Sequence, residues 1–147
     1  MDKQYTITLN ETQLMTLEWV TEGAARTIMG QLDMFVQDCA ERAWERDHRT
    51  PEHPSGILAD GWHDMRHQLE QHLDDIRKLC WAQDRHTMYG IYYDDKADEL
   101  WDMHQVLRKF RYDHIFGDDE RKTMRMTVMA DAPLKTSAQP LIKISDQ

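Results

Sequence analysis

The apolar positions of the chain fall into helical phases flanked by two short alternating runs. Tyr5, Ile7 and Leu9 alternate with Thr6 and Thr8, the period-two pattern of a half-buried strand. Asn10 follows, with Gln13 three residues on. An asparagine at that point caps a helix and a glutamine at that spacing returns the bond, so a helix is predicted from about Glu11. Leu14, Leu17, Thr21, Ala24, Ala25, Ile28, Leu32, Phe35, Val36, Cys39 and Ala43 then keep one phase of about 100° per residue. That phase survives Gly23 and Gly30, so either one helix reaches about Glu45 or two nearly collinear helices meet at Gly30. A glycine costs only about 1 kcal/mol in a helix, and tertiary context decides. Gly23, Ala24 and Ala25 leave room for a neighbouring helix.

Residues 47–56, with Pro51 and Pro54, are turn chemistry and read as a loop. A second helix, capped near Asp60, carries Trp62, Met65, Leu69, Leu73, Ile76 and Cys80 on one stripe. Tyr89, Gly90, Tyr92 and Tyr93 show no helical period and form an aromatic loop. A third helix, capped by Asp94 or Asp95, runs from about Lys96 to Asp113 and is expected to bury Leu100, Met103, Val106, Leu107 and Phe110. Beyond the Gly117 break, Met124, Met126 and Val128 alternate as a second strand able to pair with the first. Residues 130–147 contain Pro133 and Pro140 and no period, as an extended arm or a frayed end. The expected fold is mainly α. It is a three- to four-helix single domain over residues 1–147, with a short two-stranded terminal β-ribbon and an extended C-terminal arm over 130–147.

Composition narrows the function classes. A length of 147 residues suits one compact domain and argues against a multidomain enzyme. Ten methionines and five tryptophans replace scarce branched aliphatics, so a Met- and Trp-rich core is expected. Cys39 and Cys80 are too few for a disulfide scaffold and read as core filler in a reduced, cytoplasmic protein. A net charge of −9 opposes capture of nucleic-acid polymers or anionic lipid. No apolar run approaches the roughly 20 residues of a membrane span, and the polar opening Met1 to Thr6 does not resemble a secretion leader.

Catalysis is not indicated. The six glycines never take phosphate-loop or dinucleotide spacing, and no activated serine or cysteine signature occurs. His63 and His67 stand one helical turn apart with Glu70 and Asp74 on the same side, a spacing that can hold a transition metal. Asp64 replaces the glutamate of the zincin motif, and a solvated helix face is the plainer reading. Neither a metal nor an organic cofactor is expected.

The third helix has a second face. Trp101, Gln105, Arg108 and Tyr112 lie within about 60° of one another, off the apolar stripe. Aromatic planes, an amide and a guanidinium suit a stacked base and a phosphate, or a protein interface, or simply another buried helix contact. Trp19, Arg26, Asp33 and Trp44 repeat the theme on the first helix. Two such faces favour a homo-oligomer, a dimer above all. From Arg108 to Arg125 six basic side chains face four acidic ones, a local excess able to take a compact anion.

Particular runs carry a family resemblance. They are Ile7-Thr-Leu-Asn-Glu-Thr-Gln13, Arg26, Met29-Gly-Gln31, Tyr89-Gly-Ile-Tyr92, Asp98-Glu-Leu-Trp-Asp-Met-His-Gln-Val-Leu-Arg108, Ala132-Pro-Leu-Lys-Thr-Ser137 and Pro140-Leu. With these the chain resembles a small uncharacterised protein family of phages and prophages of Gram-positive bacteria. The resemblance implies a viral accessory protein in the host bacterial cytoplasm, acting against host defences, replication or transcription. One mechanism expected in that setting is a sponge that binds a small nucleotide-derived immune signal without cleaving it. Arg26, Gln31, Gln105 and Arg108 would meet phosphate or base edges, while Tyr89, Tyr92, Trp101 and Tyr112 would stack. The alternative is an acidic inhibitor of a host enzyme, working by direct protein contact.

Overall fold

The computed structural model describes residues 3, 5–52, 54, 61–82, 89–114 and 132–145. Four α-helices follow in order among the described residues: α1 (Glu11–Ile28), α2 (Leu32–His48), α3 (Trp62–Trp81) and α4 (Asp95–His114). None is long and apolar enough to cross a membrane. The chain divides into two compact units, one of residues 1–25 with 95–147 and the other of residues 26–94.

α1 begins as its sequence requires. Asn10 N donates to Gln13 Oε1 and Gln13 N donates to Asn10 Oδ1, both at 2.9 Å, a reciprocal capping box that satisfies two otherwise orphaned donors. The helix ends at Ile28, which decides between the two sequence alternatives in favour of separate helices meeting at Gly30. Gly30 takes the left-handed conformation at φ 77°, where a side chain would be strained. Its N–H donates to Thr27 O at 3.0 Å, and Gln31 N donates to Arg26 O at 2.8 Å. This is the Schellman pattern, which closes two carbonyls left open at a helix end.

Residues 5–9 form no strand. Tyr5 and Ile7 are 83% and 77% exposed, and Thr6 and Thr8 are exposed as well. A period-two pattern produces a strand when one of its faces is buried, and here neither is. The partner expected at Met124 to Val128 lies outside the described residues, as does Asp60. The N-cap of α3 is instead Gly61, left-handed at φ 89° and without a side-chain cap bond.

In the unit of residues 26–94, α2 packs on α3. Trp44 stacks on His48 at 3.7 Å between ring centroids and meets Trp62 at 5.8 Å. The central tie is Arg77, whose residue surface is 0% exposed. Its Nε donates to Gly30 O at 3.0 Å, Nη1 donates to Asp74 Oδ1 at 3.0 Å, and Nη2 donates to Asp33 Oδ1. One turn on, Trp81 Nε1 donates to Ile28 O at 2.9 Å.

These polar ties turn α3 away from the orientation its apolar stripe predicts. Trp62 and Leu73 are buried, but Ile76 is 45% exposed and Cys80 is exposed, because the helix is rotated by about 60° to bring Arg77 and Trp81 inward. Leu79 is 85% exposed. Cys39 is exposed too, so neither cysteine fills a core. Among the described methionines only Met29 is fully buried, while Met15 and Met34 stand exposed. The Trp-lined interior expected from composition is present at Trp62; the described methionines do not form a Met-rich one.

Among the described residues of the unit of 1–25 and 95–147 the core is small. Leu14, Ala25, Ala97 and Leu107 are buried together with Glu18, Thr21, Asp98, Asp102, His104 and Gln105. Leu100, Met103, Val106 and Phe110, expected in the core, are half-buried, because α4 gives much of its inward surface to polar side chains.

Replacing Arg77 with alanine leaves Gly30 O and two carboxylates without their common donor. Urea denaturation is expected to show a loss of about 3 kcal/mol or more. The exposed Asp75–Lys78 pair, 3.8 Å apart, provides the control: Lys78→Ala is expected to change stability by about 0.5 kcal/mol or less.

Candidate functional site

The eight residues singled out from sequence fall into two groups, four in each unit. In residues 26–94 the structure joins three of them. Arg26 Nη1 donates to Gln31 Oε1 at 2.8 Å, and Gln31 Nε2 donates to Tyr89 O at 2.8 Å. Tyr89 stacks on Tyr93 with centroids 3.9 Å apart and planes at 7°. The Gln31 amide is thus committed to holding the aromatic turn against the α1–α2 junction, and Arg26 braces the amide. Tyr92 points differently: it is 68% exposed and left-handed at φ 69°, a conformation that costs a non-glycine residue about 1 kcal/mol or more. The secondary face expected on the first helical stretch is largely consumed inside this unit. Asp33 holds Arg77, Trp44 packs on Trp62, and Arg26 holds Gln31.

In the other unit Trp101, Gln105, Arg108 and Tyr112 lie along α4. Gln105 is 5% exposed, and its amide acts as a second backbone. Nε2 donates to Leu134 O at 2.7 Å, and Leu134 N donates to Oε1 at 2.9 Å. One turn earlier Asp102 accepts four bonds. Thr136 N and Oγ1 donate to Oδ1 at 2.7 and 2.8 Å, and Ser137 N and Oγ donate to Oδ2 at 2.9 and 2.7 Å. Leu134 to Ser137 are therefore clasped to α4, running antiparallel to it from Gln105 to Asp98. Burial pushes the Asp102 carboxyl up, but the bonds from Ser137 and Thr136 outweigh it and hold the group below its ordinary range.

Two other α4 residues, His104 and Arg111, meet the acids Glu22 and Glu18 of α1. Glu18 is 6% exposed, and Arg111 Nη1 lies 2.9 Å from its Oε2. The contact is an ion pair without hydrogen-bond alignment, since the same oxygen is buried with no well-oriented donor. His104 is buried, with Nδ1 3.4 Å from Glu18 O and Nε2 3.9 Å from Glu22 Oε2. Its ring is tilted against Trp101 at 5.1 Å. Burial raises the Glu18 carboxyl above its ordinary range; Arg111 lowers it, Glu22 raises it and Arg108 lowers it. Arg108 itself is half-buried, and its Nε–H is enclosed with no acceptor. A buried donor left unfilled costs roughly 1–3 kcal/mol; Arg111 Nε is in the same state, and of the two Arg108 lies on the face where sequence placed a site.

An open cleft of about 240 Å³ lies elsewhere, lined by Asp33, Gln37, Arg66, Glu70 and Asp74. Its three carboxylates disfavour an anionic ligand, and none of the eight residues lines it. His63 and His67 are exposed; Glu70 pairs with Arg66 at 3.3 Å and Asp74 with Arg77 at 3.0 Å. No group of three or more metal-ligating side chains is assembled among the described residues.

Sequence reasoning passed over Arg77, Asp102, Glu18, His104 and Arg111. A signal existed for some of them. Arg77 lies four residues from both Leu73 and Trp81, in the phase of a buried ridge. Glu18 and Glu22 form a mid-helix like-charge pair that calls for cations opposite. Comparison of the chain with protein-family profiles, curated proteins and solved structures finds no match.

The Asp102 clasp makes the arm acid-sensitive. A carboxyl whose folded value is depressed stabilises above its unfolded value, about 3.9, and that stability is lost as pH falls through the folded value. Hydrogen exchange of the Thr136 and Ser137 amides is expected to stay protected near neutrality and to lose protection below about pH 4. Asp102→Asn is expected to expose them at neutral pH, because an NH2 group then opposes one pair of donors.

Proposed function

We propose that this is a non-catalytic binding protein that captures a small anionic, nucleotide-like ligand on the Arg108 face of α4 and holds it without cleavage. In the setting implied by the family resemblance, it is a viral accessory protein lowering the free concentration of a nucleotide-derived immune signal in its host. The observation that carries this reading is the enclosed Arg108 Nε–H without an acceptor. A phosphate or carboxylate offers paired oxygens that suit a guanidinium fork. Trp101 and Tyr112 lie within about 40° of Arg108 around α4 and offer planes for a base. Gln105 contributes by fixing the arm, so recognition rests on the guanidinium and the aromatic rings of α4.

Inhibition of a host enzyme by direct contact is a second reading, favoured by one observation. Ile76 and Leu79 leave an apolar side of α3 45% and 85% exposed, suited to a protein partner or a second copy of the chain.

Wild-type protein purified from infected cells is expected to release an intact nucleotide-like anion on heat denaturation, detected by mass spectrometry. Arg108→Ala is expected to release at least about tenfold less, the equivalent of about 1.4 kcal/mol, with its circular dichroism unchanged. Equal release from both proteins overturns the reading. Salt-sensitive co-purification of a host protein, indifferent to Arg108→Ala, supports the contact mechanism instead.

A further inference from the structure

We propose, resting on the Arg108 reading above, that an anion docking on Arg108 brings a proton with it, taken up by the carboxylate of Glu18. Two carboxylates from α1, Glu18 and Glu22, face Arg108, Arg111 and His104 from α4. With histidine neutral, the two acids and two guanidiniums sum to zero. An incoming anion therefore adds uncompensated negative charge beside the buried Glu18 carboxylate. Glu18 is buried at 6% exposure, its carboxylate pairs with Arg111 one turn from Arg108, Arg108 is among the charges that act on it, and its Oε2 lacks an aligned donor.

Ligand and Glu18 compete for the same cations. Protonating Glu18 removes the competitor and releases the positive field of Arg111 toward the ligand, at the cost of one solvent proton. Burial already holds this carboxyl above its ordinary range, which puts the proton within easier reach than at an exposed glutamate. His104 is the other titratable group in the cluster, but its two nitrogens face the Glu18 carbonyl and the Glu22 carboxylate.

Inorganic sulfate is a suitable probe, since its own charge is constant between about pH 5 and pH 8. Isothermal titration of the full chain in two buffers of different ionisation enthalpy reads proton uptake directly and needs no variant. Uptake of up to one proton per sulfate is expected, with affinity falling by up to about tenfold per pH unit above the Glu18 midpoint. Glu18→Gln is expected to bind sulfate more tightly than wild type at pH 8 and with no pH dependence, while His104→Gln keeps the wild-type slope. Binding without proton uptake, or a slope that survives Glu18→Gln or vanishes in His104→Gln, overturns the proton coupling and leaves the Arg108 reading standing. Sulfate binding that is absent at every pH, or unaffected by Arg108→Ala, overturns both.

Discussion

A guanidinium with no solvent contact must find every acceptor inside the fold, and Arg77 does so at a single point. Its needs organise the unit of residues 26–94. Gly30 must present its carbonyl sideways out of the helical path, which the left-handed break achieves and a continuous helix forbids. Asp33 must stand in the first turn of α2, three residues on, where a carboxylate also complements the helix N-terminus. Trp81, one turn after Arg77, then reaches Ile28 O, and Gln31 is left aimed at Tyr89 O. The junction, the rotation of α3 and the placement of the aromatic turn follow from one buried charge. Its contribution is directional, since buried ion pairs add little net stability over a well-packed apolar alternative.

The parts of this fold legible in sequence are those governed by neighbours along the chain. Asn10 and Gln13 cap α1 by contacts three residues apart. Gly30 ends it through bonds spanning five residues, and Asp94 precedes the first residue of α4. Features set by distant partners were illegible. A wheel that scores arginine as surface turns α3 toward Ile76 and Cys80, because it contains nothing about Gly30 waiting 47 residues away in sequence. Nothing along the chain marks Asp102, since its partners Thr136 and Ser137 sit in an arm without periodicity. The candidate site shows both sides of this. Arg26, Gln31 and Tyr89 do come together, yet they are held by bonds to one another, whereas Arg108 keeps an enclosed Nε–H without an acceptor.

α4 sets two ways of burying polarity side by side. Asp102 collects four donors and Gln105 two backbone bonds, so the arm is held by groups whose valences are filled. A little further along the helix, Glu18 and the two arginines share cations and carboxylates without filling them. Polar groups in a weakly screening interior are stiff when satisfied and responsive when not. The clasp therefore suits a structural role, and the cluster suits exchange with something from outside.

Acid acts on these two carboxylates in opposite senses. Asp102 is held below its ordinary range by donated bonds, so its contribution is intact above the unfolded value and disappears only as pH falls through the folded one. Glu18 is held above its ordinary range by burial, so its ionised form opposes the fold; its protonated form is favoured at low pH and that benefit fades as pH rises through the folded value. On acidification Glu18 therefore takes its proton first and Asp102 last. Between the two, the Arg108 cluster has changed charge while the arm remains clasped to α4. The electrostatics around Arg108 can respond to a proton without loss of the scaffold that positions them, because the two responses are separated along the pH axis by the opposite causes that shift each group.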